Sequence, residues 1–142
     1  MAKKYWTFDT FETGLRTVWK EYQVVVMKYL WELEEGEEAG SGKAWLHTNK
    51  VLSDSGKSIS RASIIFFLNA MVDEGVLTYV ERTGKGGHHR IYSPAFDESG
   101  FKEFLAEKII SHLIQDFPDE TQAVLGKMRE GGFWSKIFPR ED

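Results

Sequence analysis

Cysteine is absent from this chain, and so is any long apolar run. The first absence excludes a disulfide framework and thiolate metal sites. The second excludes a bilayer-spanning helix, which needs about 20 apolar residues in succession. The opening Met1-Ala2-Lys3-Lys4-Tyr5-Trp6-Thr7 lacks the apolar core of a signal peptide, which predicts a cytoplasmic protein. Catalytic signatures are missing as well: there is no phosphate-cradling glycine motif, no nucleophile with a base beside it and no cluster of metal ligands. Gly84-Lys85-Gly86-Gly87 lacks the spacing of a P-loop and reads as a turn. His88-His89 has only His47 and His112 as further imidazoles, too few for the four convergent donors that zinc needs. The chain is therefore expected to be no enzyme and to hold no metal and no cofactor.

Nor is there an excess of positive charge. The 18 Lys/Arg against 22 Asp/Glu give a net charge of -4, which argues against indiscriminate binding to nucleic acid. The distribution is uneven. Residues 43 to 90 hold 7 basic against 4 acidic residues, while residues 1 to 42 hold 5 against 8 and residues 91 to 142 hold 6 against 10. Positive charge gathers in the middle of the chain, between acidic flanks. With 142 residues and 42% hydrophobic content, the chain suits one compact domain of about 100 residues and a helical appendage.

Apolar residues recur at helical spacing from Leu15 to Leu33, predicting a first amphipathic helix. The acidic, glycine-rich stretch from Glu34 to Gly42 predicts a solvent-facing loop. A second helix is expected over 43–54, with Trp45, Leu46, Val51 and Leu52 on one face, before the turn-forming Ser53-Asp54-Ser55-Gly56-Lys57. A third helix follows at Ser60. Ser58 or Ser60 can cap its start, and Gly75 stands just past its end. Segments 76–83 and 89–94 are rich in strand formers and predict a hairpin tipped by the glycines. Phe101, Phe104, Leu105, Ile109, Leu113 and Ile114 mark a fourth helix ending near Phe117-Pro118, and a fifth is expected over 119–129.

Three helices followed by a hairpin are the order of a winged helix-turn-helix. The fold class predicted is mainly α with a small β-hairpin wing and additional C-terminal helices. The expected organisation is a winged-helix domain over 1–96, including an N-terminal extension 1–14, and a helical dimerisation segment over 97–142. Val26-Met27-Lys28-Tyr29-Leu30-Trp31-Glu32 resembles the first helix of the penicillinase-repressor family, the BlaI/MecI/CopY group. Ser60-Arg61-Ala62-Ser63-Ile64 through Leu68, Met71 and Asp73-Glu74-Gly75-Val76-Leu77 resembles its third helix, and Arg90-Ile91-Tyr92-Ser93-Pro94 the end of its wing. The similarity spans roughly residues 18 to 130. It implies a homodimeric transcriptional repressor on a palindromic operator, dimerised through its C-terminal helices. Two features depart from the family pattern: a longer connection before Trp45-Leu46-His47-Thr48, and an apolar third helix, Ile64-Ile65-Phe66-Phe67-Leu68.

In a helix-turn-helix the recognition helix buries one face and offers the other to base edges. A step of about 100° per residue puts Ile64, Phe67, Leu68, Met71 and Val72 inward, with Ala62, Ser63, Phe66, Asn69, Ala70 and Asp73 opposite. Asn69 is the candidate adenine reader, Ser63 suits a base or phosphate, and Phe66 or Ala62 suits a thymine methyl. Lys57, Ser58, Ser60 and Arg61, at the N-terminal end of the helix, are candidate phosphate contacts. Arg82, Lys85, His88, His89 and Arg90 flank the wing tip and suit a backbone or minor groove. Front aromatics Trp6, Phe8, Phe11, Trp19 and Tyr22 must pack somewhere. Phe101, Phe104, Leu105, Ile109, Leu113, Phe133 and Trp134 are the candidate dimer contacts. The expected partners are double-stranded DNA and a second copy of the chain. The alternative is a winged helix that binds protein partners through Phe66 or the acidic flanks, without sequence-specific DNA recognition.

Overall fold

The computed structural model describes residues 5–132. A short 3₁₀ helix, Gly14–Thr17, precedes helices α1 (Glu21–Trp31), α2 (Ser41–Ser53) and α3 (Arg61–Asp73). Strands β1 (Leu77–Gly84) and β2 (Gly87–Pro94) form an antiparallel hairpin, and helices α4 (Glu98–Asp116) and α5 (Pro118–Glu130) follow. This is a mainly α winged helix-turn-helix fold with two further helices. The chain divides into two compact units, with the boundary in the sequence between Ser99 and Gly100.

The expected first helix is broken. The apolar pattern from Leu15 onward is split between the 3₁₀ turn and α1, because Lys20 is extended, with ψ 162°. Two carbonyls that a continuous helix would use internally are taken by the N-terminal segment instead. Thr7 N donates to the Val18 carbonyl at 2.9 Å, and Asp9 N to the Thr17 carbonyl at 2.8 Å. The Gln23 side chain then reaches back to accept from Lys20 N at 2.8 Å, supplying half of a capping box. Leu15, Val18 and Trp19 are still buried, by a turn of the chain in place of helical periodicity.

Trp19 and Phe67 are the centre of the first unit. Trp19 stacks on Trp6 with centroids 5.7 Å apart and meets Phe67 edge-on at 5.9 Å. Tyr5 and Tyr22 each meet Phe67 edge-on at 6.2 Å. These are the separations and angles that ring quadrupoles favour. Val26, Met27, Ala44, Ile64, Leu68 and Met71 complete the core with no exposed surface. Of the front aromatics, Phe8 and Phe11 stay outside, at 69% and 98% exposure.

Three other expectations need correction. In α2 the buried residues are Ala44, Thr48 and Leu52, whereas Leu46 and Val51 face out. Small Ala44 lets α2 approach its neighbours closely, a choice that a pattern of large apolar residues does not reveal. Val72 in α3 is only half-buried. The acidic loop is not wholly in solvent, since Ala39 is buried and its carbonyl accepts from Tyr92 N at 3.0 Å, adding a single bridge to the edge of the wing.

The hairpin is longer than its sequence pattern. Its ladder runs from Leu77↔Pro94 to Gly84↔Gly87, so only Lys85 and Gly86 turn the chain. Gly86 and Gly87 have φ of 95° and 101°, a region that strongly favours glycine. After the wing, the Trp31 indole donates to the Phe96 carbonyl at 2.9 Å and Lys28 pairs with Glu98 at 2.7 Å, tying that segment to α1.

In the second unit, Phe101 is fully buried and packs at 6.3 Å on half-buried Phe104. Pro118, which has no amide hydrogen to donate, starts α5 at its first turn, where Asp119 and Glu120 complement the helix dipole. Thr121 N donates to the Phe117 carbonyl and its hydroxyl to the Leu113 carbonyl at 3.0 Å, bracing the joint.

Trp19→Ala is expected to cost about 3–5 kcal/mol in urea unfolding, the usual range for a buried aromatic. The Thr48 hydroxyl is buried with no hydrogen-bond partner among the described residues. Thr48→Val, which replaces it with a methyl, is expected to stabilise by about 1 kcal/mol. A melting temperature that drops in Thr48→Val would show the hydroxyl to be bonded.

Candidate nucleic-acid interface

The turn into α3 is clamped at one residue. Asn49 accepts from Ile59 N at 2.7 Å and donates to the Ile59 carbonyl at 3.1 Å, and the Trp45 indole donates to the same carbonyl at 2.9 Å. Gly56, with φ of 71°, permits the reversal after α2. Ser60 then caps α3, its hydroxyl accepting from Ser63 N at 3.1 Å. With Ile64, Phe67, Leu68 and Met71 buried, Arg61, Ala62 and Phe66 are left exposed, Phe66 at 56%.

A groove of about 680 Å³ opens between the wing and the N-terminal ends of α2 and α3. Arg61, Lys85, His88 and His89 converge on it, joined by Lys43 and by the carboxylate-bearing Glu38. The sequence does not single out Lys43, although it lies in the basic segment, because nothing local marks it as more than a first-turn helix residue. Nor does local sequence mark Asn49 and Trp45, which belong to the α2 pattern and meet Ile59 only through the tertiary turn. Ser60, Ser63 and Phe66 line a different flank of α3, away from the wing groove.

Other candidates are committed within the fold. Asn69 Oδ1 accepts from Tyr92 Oη at 2.6 Å and from Arg90 Nη1 at 3.1 Å, and the Arg90 guanidinium lies 3.9 Å from the centre of the Tyr79 ring. Bidentate adenine reading needs that amide oxygen, so in this arrangement Asn69 and Arg90 join α3 to the base of the wing. Lys57 pairs with Glu21 at 3.1 Å, and Arg82 with Glu38 at 3.3 Å. Both pairs are solvent-exposed, worth about 0–1 kcal/mol, and therefore easily exchanged for phosphate. Ser58 is exposed beside Lys57, and His88 Nδ1 lies 3.3 Å from Thr83 Oγ1.

Among the described residues no three His, Cys, Asp or Glu side chains gather as a metal site. His47 stacks on Tyr29 at 4.5 Å and His112 pairs with Asp116 at 3.2 Å. No described helix is long and apolar enough to cross a membrane. The dimer candidate Phe101 needs revision, because it is already covered within one chain, while Leu113 is 39% exposed. Phe104, Leu105 and Ile109 are half-buried, and Phe133 and Trp134 lie outside the described residues.

No family model matches the sequence and no curated protein matches it, so the penicillinase-repressor resemblance rests on the residues quoted for it. Two solved structures are similar. One is the Vibrio cholerae ferric uptake regulator, at 18% identity and TM-score 0.38, over 56% of this chain and 54% of that one. The chain thus spans about half the length of that protein. The other is Bacillus subtilis PadR in complex with operator DNA, at 14% identity and TM-score 0.41, over 87% of this chain and 80% of that one.

Burial raises the pKa of the Tyr92 hydroxyl above its ordinary value, against a smaller lowering by Arg90. Its unfolded value is about 10, so its stabilising contribution is complete below about pH 10 and is lost as pH rises through the higher folded value. Tyr92→Phe is expected to be about 1 kcal/mol less stable at pH 8, from loss of the bond to Asn69. It should also lose less stability than the wild type between pH 8 and the alkaline limb. Parallel alkaline losses in urea titrations of the two proteins would contradict this.

Proposed function

We propose that this protein is a DNA-binding transcriptional regulator, a repressor acting as a homodimer on a palindromic site. The observation that carries the reading is the convergence of Lys43, Arg61, Lys85, His88 and His89 on one groove beside the exposed face of α3. Cations from α2, α3 and the wing tip point to a polyanion that runs past all three, as a phosphate backbone does when a helix enters the major groove. Ala62 and Phe66 offer apolar contact to thymine methyl groups, and Ser63 a hydroxyl. With Asn69 engaged inside the fold, base reading rests on few side chains, so backbone contacts dominate affinity and selectivity is modest.

The dimer is supported by the second unit. Ile110, Leu113, Ile114, Phe117, Val124 and Leu125 are each 39–55% exposed, and α5 has no buried residue at all. A 13-residue helix is marginal alone in water and gains stability by burying an apolar face. A two-fold dimer would present two α3 helices about 34 Å apart, to successive major grooves. The penicillinase-repressor resemblance supports the repressor role. Exposed Phe66 favours the second reading, in which this face binds a protein partner.

Selection from random duplex DNA at two salt concentrations separates the readings. The regulator predicts an enriched palindrome. Binding without enrichment that vanishes at moderate salt would favour the partner-binding reading. Arg61→Ala with Lys85→Ala is expected to weaken DNA binding across sequences and to make log K against log [salt] shallower by about two. An unchanged slope would remove these residues from the interface.

A further inference from the structure

We infer that the DNA backbone on the flank of α3 away from the wing is held by a second set of contacts, Lys20, Tyr22, Thr7 and Tyr5. They come from the N-terminal segment and the start of α1. This rests on the DNA-binding reading and extends it to a surface outside the wing and the recognition helix.

A second groove, of about 490 Å³, runs along α3 there. Ser60, Ala62, Ser63 and Phe66 form its α3 wall, and Tyr5, Thr7, Lys20 and Tyr22 stand opposite. None of these eight residues lines the wing groove, which takes Arg61 from the same turn of α3. The exposed face of α3 is therefore bordered by a polar groove on each flank. A helix inserted into a major groove about 12 Å wide has one phosphate backbone on either side. The wing groove serves one, and the N-terminal groove has the donors for the other: an ammonium and three hydroxyls.

The local architecture is built to hold these donors. Gln23 is a polar residue at 2% exposure, at a position the core would fill with an apolar side chain. Its side chain bonds to groove residues at both ends: Oε1 accepts from Lys20 N at 2.8 Å, and Nε2 donates to Tyr22 Oη at 3.2 Å. Since the Tyr22 oxygen accepts from Gln23, its own O–H is left to donate. A tyrosine hydroxyl, with an ordinary pKa of about 10, keeps that proton at neutral pH, and burial raises the Tyr22 value further. Tyr5 is pinned by its edge contact with Phe67, and Thr7 by the hydrogen bond from its amide to Val18. Lys57 and Arg82 lie against carboxylates, whereas Lys20 is exposed and has no ion-pair partner among the described residues.

The test titrates the full chain with random-sequence duplex across a salt series, comparing wild type, Lys20→Ala, Lys20→Arg, Tyr22→Phe and Arg61→Ala with Lys85→Ala. Circular dichroism and melting confirm that each variant is folded. Lys20→Ala is expected to bind roughly eightfold more weakly at about 0.1 M salt, with the salt slope shallower by about one, because one phosphate contact is lost. Lys20→Arg should keep the wild-type slope. Tyr22→Phe should bind a few-fold more weakly at unchanged slope, the signature of a neutral donor. If the Arg61 and Lys85 variant loses slope while Lys20→Ala and Tyr22→Phe match wild type, the second groove is not a backbone site and the DNA reading stands. If the wild type itself shows no salt-dependent duplex binding, the DNA reading falls and this inference falls with it.

Discussion

The burial of the Phe67 ring is the constraint on which the arrangement depends. Tyr5, Trp19 and Tyr22 converge on it from the N-terminal segment, the 3₁₀ connection and α1. A helix with one large ring locked into a core has no rotational freedom about its axis. The neighbouring Phe66, about 100° away, must then face out, together with Arg61 and Ala62. The surface offered to a ligand is set by what lies underneath it. Ile59, held by Asn49 and Trp45, fixes where that helix begins, and Asn69 with Tyr92 and Arg90 fixes where the wing stands beside it.

Charge is arranged within the same frame. The chain as a whole is acidic, but three cations of its middle segment, Lys43, Arg61 and Lys85, are brought to one groove of the first unit by three separate elements. Two other cations of that segment are lightly held by carboxylates in the free protein: Arg82 by Glu38 and Lys57 by Glu21. Exposed pairs of this kind are weak in water and further screened by salt. They limit self-repulsion among the cations at little thermodynamic cost to exchange. Under the proposed function a phosphate backbone, with its high charge density, would compete for the same side chains.

The second unit follows a different economy. Phe101 and Phe104 provide its packed start, after which α4 and α5 keep apolar side chains in contact with solvent. Helical propensity, the Pro118 start and the dipole-matched charges of α5 favour helix locally. None of these terms buries apolar area, which is why association is the natural role for this segment under the proposed function.

Much of the fold was legible in the residues: the order of helices and hairpin, a serine cap at Ser58 or Ser60, the Gly75 stop, the break at Pro118, and most of the inward set, Ile64, Phe67, Leu68 and Met71. These depend on local terms, namely periodicity, capping and turn chemistry, which act over a few neighbours. The break before α1 was not legible, because the Val18 and Thr17 carbonyls are claimed by Thr7 and Asp9, ten or so residues away. The convergence of Lys43 with the wing tip, the engagement of Asn69 by Arg90 and Tyr92, and the pairing of Gln23 with Lys20 and Tyr22 likewise escaped the pattern. A sequence by itself determines which faces are apolar and where elements start and stop. Only the tertiary structure decides which polar side chains are used up in holding the fold and which remain for a partner, because that depends on distances between elements that no local term specifies.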